Sequence, residues 1–219
     1  MGALIAVEGI SGAGKTTHAK LLRDWLQKKR VPTLLLNEPS DSHFGLQLKK
    51  VIVENNSLVK CKLIEPEQAI SLETILFAAD RLIQYNTKIF PALKEDKTVV
   101  LDRSVYSSYA YQQARGISSK FVRAINRFVS EPDLVIVLDA GLTHTQKRLK
   151  AKLSRNPEFD AIFDNENVLK KARKNYLKLA NKNPKKFRLI KSLQPIDKTQ
   201  RNIQKYVDSF LKRGELVYK

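Results

Sequence analysis

Cysteine is almost missing from this chain: Cys61 is the only one in 219 residues. A disulfide-stapled scaffold is therefore excluded. Histidine is scarce as well, and His18, His43 and His144 are scattered, with no metal-binding cluster or nucleophile–base pair evident. Long apolar runs are also missing, and no segment approaches the roughly 20 residues of a membrane-spanning helix. The start, Met1 to Ala6, has neither the basic stretch of a secretory signal nor the Ser or Thr of a myristoylation signal, so a soluble, cytoplasmic protein is expected. Acidic residues are few, 22 against 40 basic, for a formal net charge of +18. What is present is ordinary globular material. Hydrophobic residues make up 42% and charged residues 28%, which excludes disorder of the whole chain. The length suits one domain, residues 1–219, with a sizeable core.

The charge is unevenly spread. Residues 1–140 carry 19 basic and 15 acidic side chains, whereas residues 141–219 carry 21 and 7. A basic half invites a nucleic-acid reading, but it equally suits solvated helix faces around a site for small polyanions. No RNA- or DNA-reading motif accompanies it.

Five short runs rich in Val, Ile and Leu read as buried strands: Leu4–Glu8, Thr33–Leu36, Thr98–Asp102, Leu134–Asp139 and Phe187–Ile190. Between them lie helical patterns at Lys15–Lys29, Glu67–Asn86, Ser118–Val129, Thr143–Leu153, Val168–Asn181 and Lys198–Lys212. Strands alternating with helices predict an α/β protein whose parallel sheet is covered on both faces. The polar stretch Ser154–Asn167 reads as a flap.

The first strand runs into Gly9-Ile10-Ser11-Gly12-Ala13-Gly14-Lys15-Thr16-Thr17 and then into a helix. Every fixed position of G-x-x-x-x-G-K-[ST] is filled, in the strand-to-helix context that the motif needs. Small residues let the backbone turn its N–H groups inward on phosphate oxygens, and the helix start adds its positive dipole end. Lys15 can reach the β- and γ-phosphates, and the Thr16 hydroxyl can ligate Mg²⁺.

The third strand ends in Asp102-Arg103, at the edge where such sheets bind ligands. Asp102 can hold Mg²⁺ through water, and Arg103 can meet a second phosphate. Phe77 and Arg81 are four residues apart, so they share a helix face; a ring beside a guanidinium can stack on a base and donate to its carbonyl. By itself that pair suits core plus solvent better than a base pocket.

Taken together, these stretches resemble the thymidylate kinase family of P-loop nucleoside monophosphate kinases. The opening E-G-x-[DE]-G-x-G-K-[ST]-T appears as Glu8 to Thr17, the E-P loop as Glu38-Pro39, and the L-L-F-A-A-D-R helix as Ile75 to Arg81. The D-R-x-x-x-S-x-x-A-Y-Q segment appears as Asp102 to Gln112, and the resemblance runs nearly the whole chain. It implies a three-layer P-loop fold, a five-stranded parallel sheet in the order 2-3-1-4-5, and a mobile lid near residues 147–167. It implies transfer of the ATP γ-phosphate to dTMP, with Mg²⁺, in a homodimer. Phe77 would stack on thymine and Arg81 donate to it. Arg103 would bind the acceptor phosphate, helped by Lys49. Tyr111 would crowd the 2′ position of the sugar, and Glu38, Pro39, Ser107 and Ser108 would line the pocket.

This sequence departs from the family at three places. The P-loop carboxylate is Ser11, the basic residue before the E-P loop is Asn37, and the lid reads Asp160-Ala161-Ile162-Phe163-Asp164 where a D-R pair is common. A P-loop without Arg goes, in one family branch, with catalytic cations in the lid. Arg155 and then Lys152 are the candidates, with Arg148 placed to pack on adenine. The alternatives are the same scaffold acting on another monophosphate, and a non-enzymatic P-loop nucleic-acid-binding protein.

Overall fold

A computed structural model describes residues 2–151, 154 and 156–213. Five strands form one parallel sheet: β1 (Leu4–Glu8), β2 (Thr33–Asn37), β3 (Thr98–Asp102), β4 (Leu134–Asp139) and β5 (Phe187–Lys191), in the order β2-β3-β1-β4-β5. This is the expected order. Strands β1 and β3 are buried along their whole length, and the edge strands β2 and β5 only in part.

Period-two alternation divides the core. Leu4 and Ala6 face one side, with Leu101, Val135, Tyr109 and Tyr176. Ile5 and Val7 face the other, with Val100, Ile136, Leu22 and Val207. The second side is covered by α1 (Lys15–Lys28) and α10 (Ile196–Lys212); the first by α5 (Val105–Ala114) and α9 (Glu166–Lys182). Among the described residues no helix is long and apolar enough to cross a membrane.

The remaining helices are α2 (His43–Lys60), α3 (Pro66–Gln84), α4 (Phe90–Lys94), α6 (Ser119–Ile125), α7 (Leu142–Lys150) and α8 (Pro157–Phe163). Helix α3 starts where the sequence places Pro66 at its first turn and Gln68, whose Oε1 accepts from the Glu65 N–H at 3.0 Å. Past Gln84 the chain goes through a π-helical turn, Tyr85–Ile89, into α4, so the helical stretch outruns its expected end at Asn86. Pro91 has no N–H to continue the regular ladder there. Helices α2, α3 and α8 build a small third core away from the sheet, in which Leu48, Ile52 and Phe159 are buried against Phe77.

Candidate functional site

A cavity of about 610 Å³ opens at the carboxyl ends of β1 and β3, which lie side by side with Val7 opposite Asp102. One wall is the loop after β1. Gly9 and Gly12 adopt φ +140° and +78°, left-handed values that cost a side chain dearly. A Cβ on Gly12 would also lie 2.7 Å from the Thr145 carbonyl oxygen, so α7 packs directly on the loop. Ser11, Gly12, Gly14, Lys15, Thr16 and Thr17 line the cavity. Gly9, Ile10 and Ala13 form the loop's underside: Ile10 is buried in one sheet core and Ala13 in the other.

Lys15 is buried and donates to the Ile10 carbonyl at 3.0 Å. Burial, helped by the nearby Arg103 charge, lowers its pKa to about 7 against the pull of Asp102, Glu8 and Asp164. Beside it the Thr16 hydroxyl donates to Asp102. These are two hard oxygen donors, the kind that hold Mg²⁺ together with phosphate and water.

Arg103 sits at φ +76° and spreads its guanidinium between Ser107 Oγ at 3.3 Å, Ser11 Oγ at 3.3 Å and the Gly9 carbonyl at 3.5 Å. The Tyr111 ring lies 5.2 Å beneath it. Burial works against the Arg103 charge, but Tyr111, Tyr176, Asp102 and Glu8 more than offset this, and its pKa stands above the usual guanidinium value. The Tyr111 hydroxyl accepts from the Ser11 N–H at 2.8 Å, which ties the P-loop to α5. Ser11, standing where the family carries a carboxylate, thus bonds to both Tyr111 and Arg103.

The opposite wall carries Glu38, Pro39, Lys49, Phe77, Arg81 and Ser108. Arg81 is buried in a bidentate pair with Glu38, at 2.7 to 3.0 Å, and also donates to Asn126 at 2.5 Å and Ser108 at 3.2 Å. One Nη1 N–H is left among the described partners. Burial raises the Glu38 pKa, and Arg81 opposes the rise. Phe77 meets Phe159 and Phe163 of α8 edge-on, with centroids at 6.5 and 5.9 Å. Arg148 reaches over the P-loop to the Gly12 carbonyl at 3.2 Å and the Ser192 carbonyl at 3.4 Å. Lys152 and Arg155, the two lid cations chosen from the sequence, lie outside the described residues.

The cavity thus has a wall formed by the glycine-rich loop, a cationic centre and an aromatic wall. A model of the family described as thymidylate kinase matches residues 7–203. The chain belongs to the thymidylate kinase family. A probable thymidylate kinase of Thermococcus gammatolerans is 37% identical over 216 residues, 98% of this chain and all of that protein. One from Pyrococcus horikoshii is 39% identical over 196 residues, 90% of this chain and 91% of that protein. One from Archaeoglobus fulgidus is 34% identical over 209 residues.

Several residues of this thymidylate kinase family member escaped the sequence reading. Asp80 accepts from the Ser40 N–H at 2.7 Å and from the Ser40 hydroxyl, holding the loop after Pro39. Asn126 and Phe159 touch the second cavity wall through Arg81 and Phe77. Asp80 stands inside the quoted L-L-F-A-A-D-R helix, beside Arg81; Asn126 and Phe159 carry no local signal.

Proposed function

We infer that this protein is a cytoplasmic, homodimeric enzyme that transfers the γ-phosphate of ATP to dTMP, giving ADP and dTDP. The observation that carries the reading is the single cavity shared by the P-loop and by the Arg103, Arg81 and Phe77 wall.

An oxygen of the dTMP phosphate forms the new bond to the γ-phosphorus, while the bond to the bridging oxygen of ADP breaks. The acceptor is already largely ionised at about pH 7, so no general base is called for. The work left to the protein is positioning and charge. P-loop N–H groups and Lys15 would hold the donor phosphates. Arg103, with Lys49, would hold the acceptor phosphate. Phe77 would stack on the thymine, and the remaining Nη1 donor of Arg81 would face its carbonyl. Tyr111, fixed by Ser11, would crowd the 2′ position and favour deoxyribose. Thr16 and Asp102 would hold Mg²⁺, which when bound neutralises phosphate charge.

Residues 147–167 act in this reading as a lid on a single domain, with Arg155 and Lys152 supplying cations to the transferring group and Arg148 packing on adenine. Closing the lid excludes water and suppresses ATP hydrolysis. The homodimer draws support from Leu72, Ile75 and Ile83, large apolar side chains that α3 leaves exposed, and from Phe128 beyond α6.

An ADP-release assay across dTMP, dUMP, UMP, CMP, AMP and GMP tests the substrate assignment. Turnover should be highest with dTMP. Turnover with another monophosphate and none with dTMP would overturn it.

A further inference from the structure

Glu8 closes β1 and is completely buried, 0% exposed. Its Oε1 accepts from the Ser104 N–H and the Ser104 hydroxyl, both at 2.7 Å. Its Oε2 accepts from the Ser107 hydroxyl at 2.8 Å and the Tyr176 hydroxyl at 2.7 Å. Among the described residues no Lys or Arg forms an ion pair with it. One buried carboxylate therefore ties together the P-loop strand, the start of α5 and helix α9.

The residues it grips are those that flank Arg103. Ser104 is the next residue in the chain, and fixing its N–H fixes the backbone on one side of Arg103. On the other side, the Arg103 N–H donates to the Val7 carbonyl at 3.1 Å, one residue before Glu8. These two anchors hold Arg103 at φ +76°, a left-handed value that a side chain adopts only at a cost. Ser107 then links the carboxylate to the guanidinium. Its hydroxyl gives its proton to Glu8 and keeps lone pairs for Arg103 Nη1. A carboxylate imposes that sense, because it can only accept. A carboxamide could instead turn its NH₂ toward Ser107 and reverse the hydroxyl.

We propose that Glu8 is a positioning residue that presets Arg103 for the acceptor phosphate, through Ser104 and Ser107. The proposal rests on Arg103 being the ligand of that phosphate. Glu8 touches no substrate and has no chemical step of its own; it aims a cation before the acceptor arrives. Its influence is confined to ligands that carry a phosphate at that position.

Calorimetric titration of the full chain with dTMP and with thymidine, at one ionic strength, reads this out. The wild-type protein should bind dTMP more tightly than thymidine; equal binding would overturn the phosphate role of Arg103 itself. With that established, Glu8→Gln should weaken dTMP about tenfold, as loss of an orienting partner typically does. Thymidine should change by less than about twofold. Equal weakening of both ligands would reduce Glu8 to a structural anchor, and an unchanged dTMP affinity would remove its influence on Arg103; either overturns the proposal. If Glu8→Gln does not fold, Ser107→Ala takes its place. It removes the connecting hydroxyl and leaves the other three hydrogen bonds of Glu8 intact. It should show the same selective loss of dTMP, and unaltered or equally weakened binding would overturn the proposal.

Discussion

Replacing Arg81 with alanine should damage the fold mainly through Glu38. The Glu38 side chain is only 6% exposed and takes three of its hydrogen bonds from Arg81. The intact pair contributes little net stability, because desolvating two charges offsets most of their attraction. Removing one partner is different: the carboxylate stays buried with no counter-charge, at a typical cost of about 3–5 kcal/mol. For a domain of this size each kcal/mol moves Tm by about 2–4 °C, so the fall should be roughly 6–20 °C. The pH dependence separates this cause from simple loss of packing. Burial already raises the Glu38 pKa, and Arg81 holds it down. Without Arg81 it rises further, so the folded protein keeps a proton that the unfolded chain releases. The variant then keeps its stability at low pH and loses it as pH rises through the folded-state pKa. Its deficit relative to wild type should be smaller at about pH 5.5 than at about pH 8. Glu38→Gln in the Arg81→Ala background should recover most of the loss. Denaturant unfolding of the wild type and the two variants at both pH values is the assay. A loss below about 1 kcal/mol, or a loss equal at both pH values, would refute the reasoning.

Two more predictions concern the donor site and assembly. Phosphate should push the Lys15 pKa up from about 7, so ATP binding at about pH 8 should take up close to one proton. Titrations in two buffers of different ionisation enthalpy measure this, and no uptake would contradict the lowered pKa. Ile75→Glu puts a charge in the exposed apolar face of α3 and should turn a dimer into monomers, measured by light scattering after size exclusion. An unchanged dimer would move the interface elsewhere.

Much of the scaffold was legible in the residues. The five strands announced themselves as short aliphatic runs, because a parallel sheet covered on both faces needs apolar residues on both sides, and the middles of β1, β3 and β4 supply them up to the acidic residue that ends each. The P-loop was legible because its glycines answer a backbone demand that only glycine meets cheaply. Helix α5 was not read as a helix. It is buried on nearly all sides, so it shows no apolar stripe. Helix α8 was hidden inside a polar stretch, where its two phenylalanines form a pattern only once α2 and α3 stand against them.

The five strands, the glycine-rich loop and the family resemblance are properties of the sequence, because they rest on local backbone requirements and short motifs. The partners of each side chain are not. Glu8 lies 96 residues from Ser104 and 168 from Tyr176, and Arg81 lies 43 from Glu38 and 45 from Asn126. Hydrogen bonds over such separations exist only after the sheet has assembled. In the sequence Arg81 offers its donors to a base; in the fold it spends most of them on Glu38, Asn126 and Ser108. Glu8, one letter of a motif in the sequence, becomes in the fold the buried acceptor around which Arg103 is set.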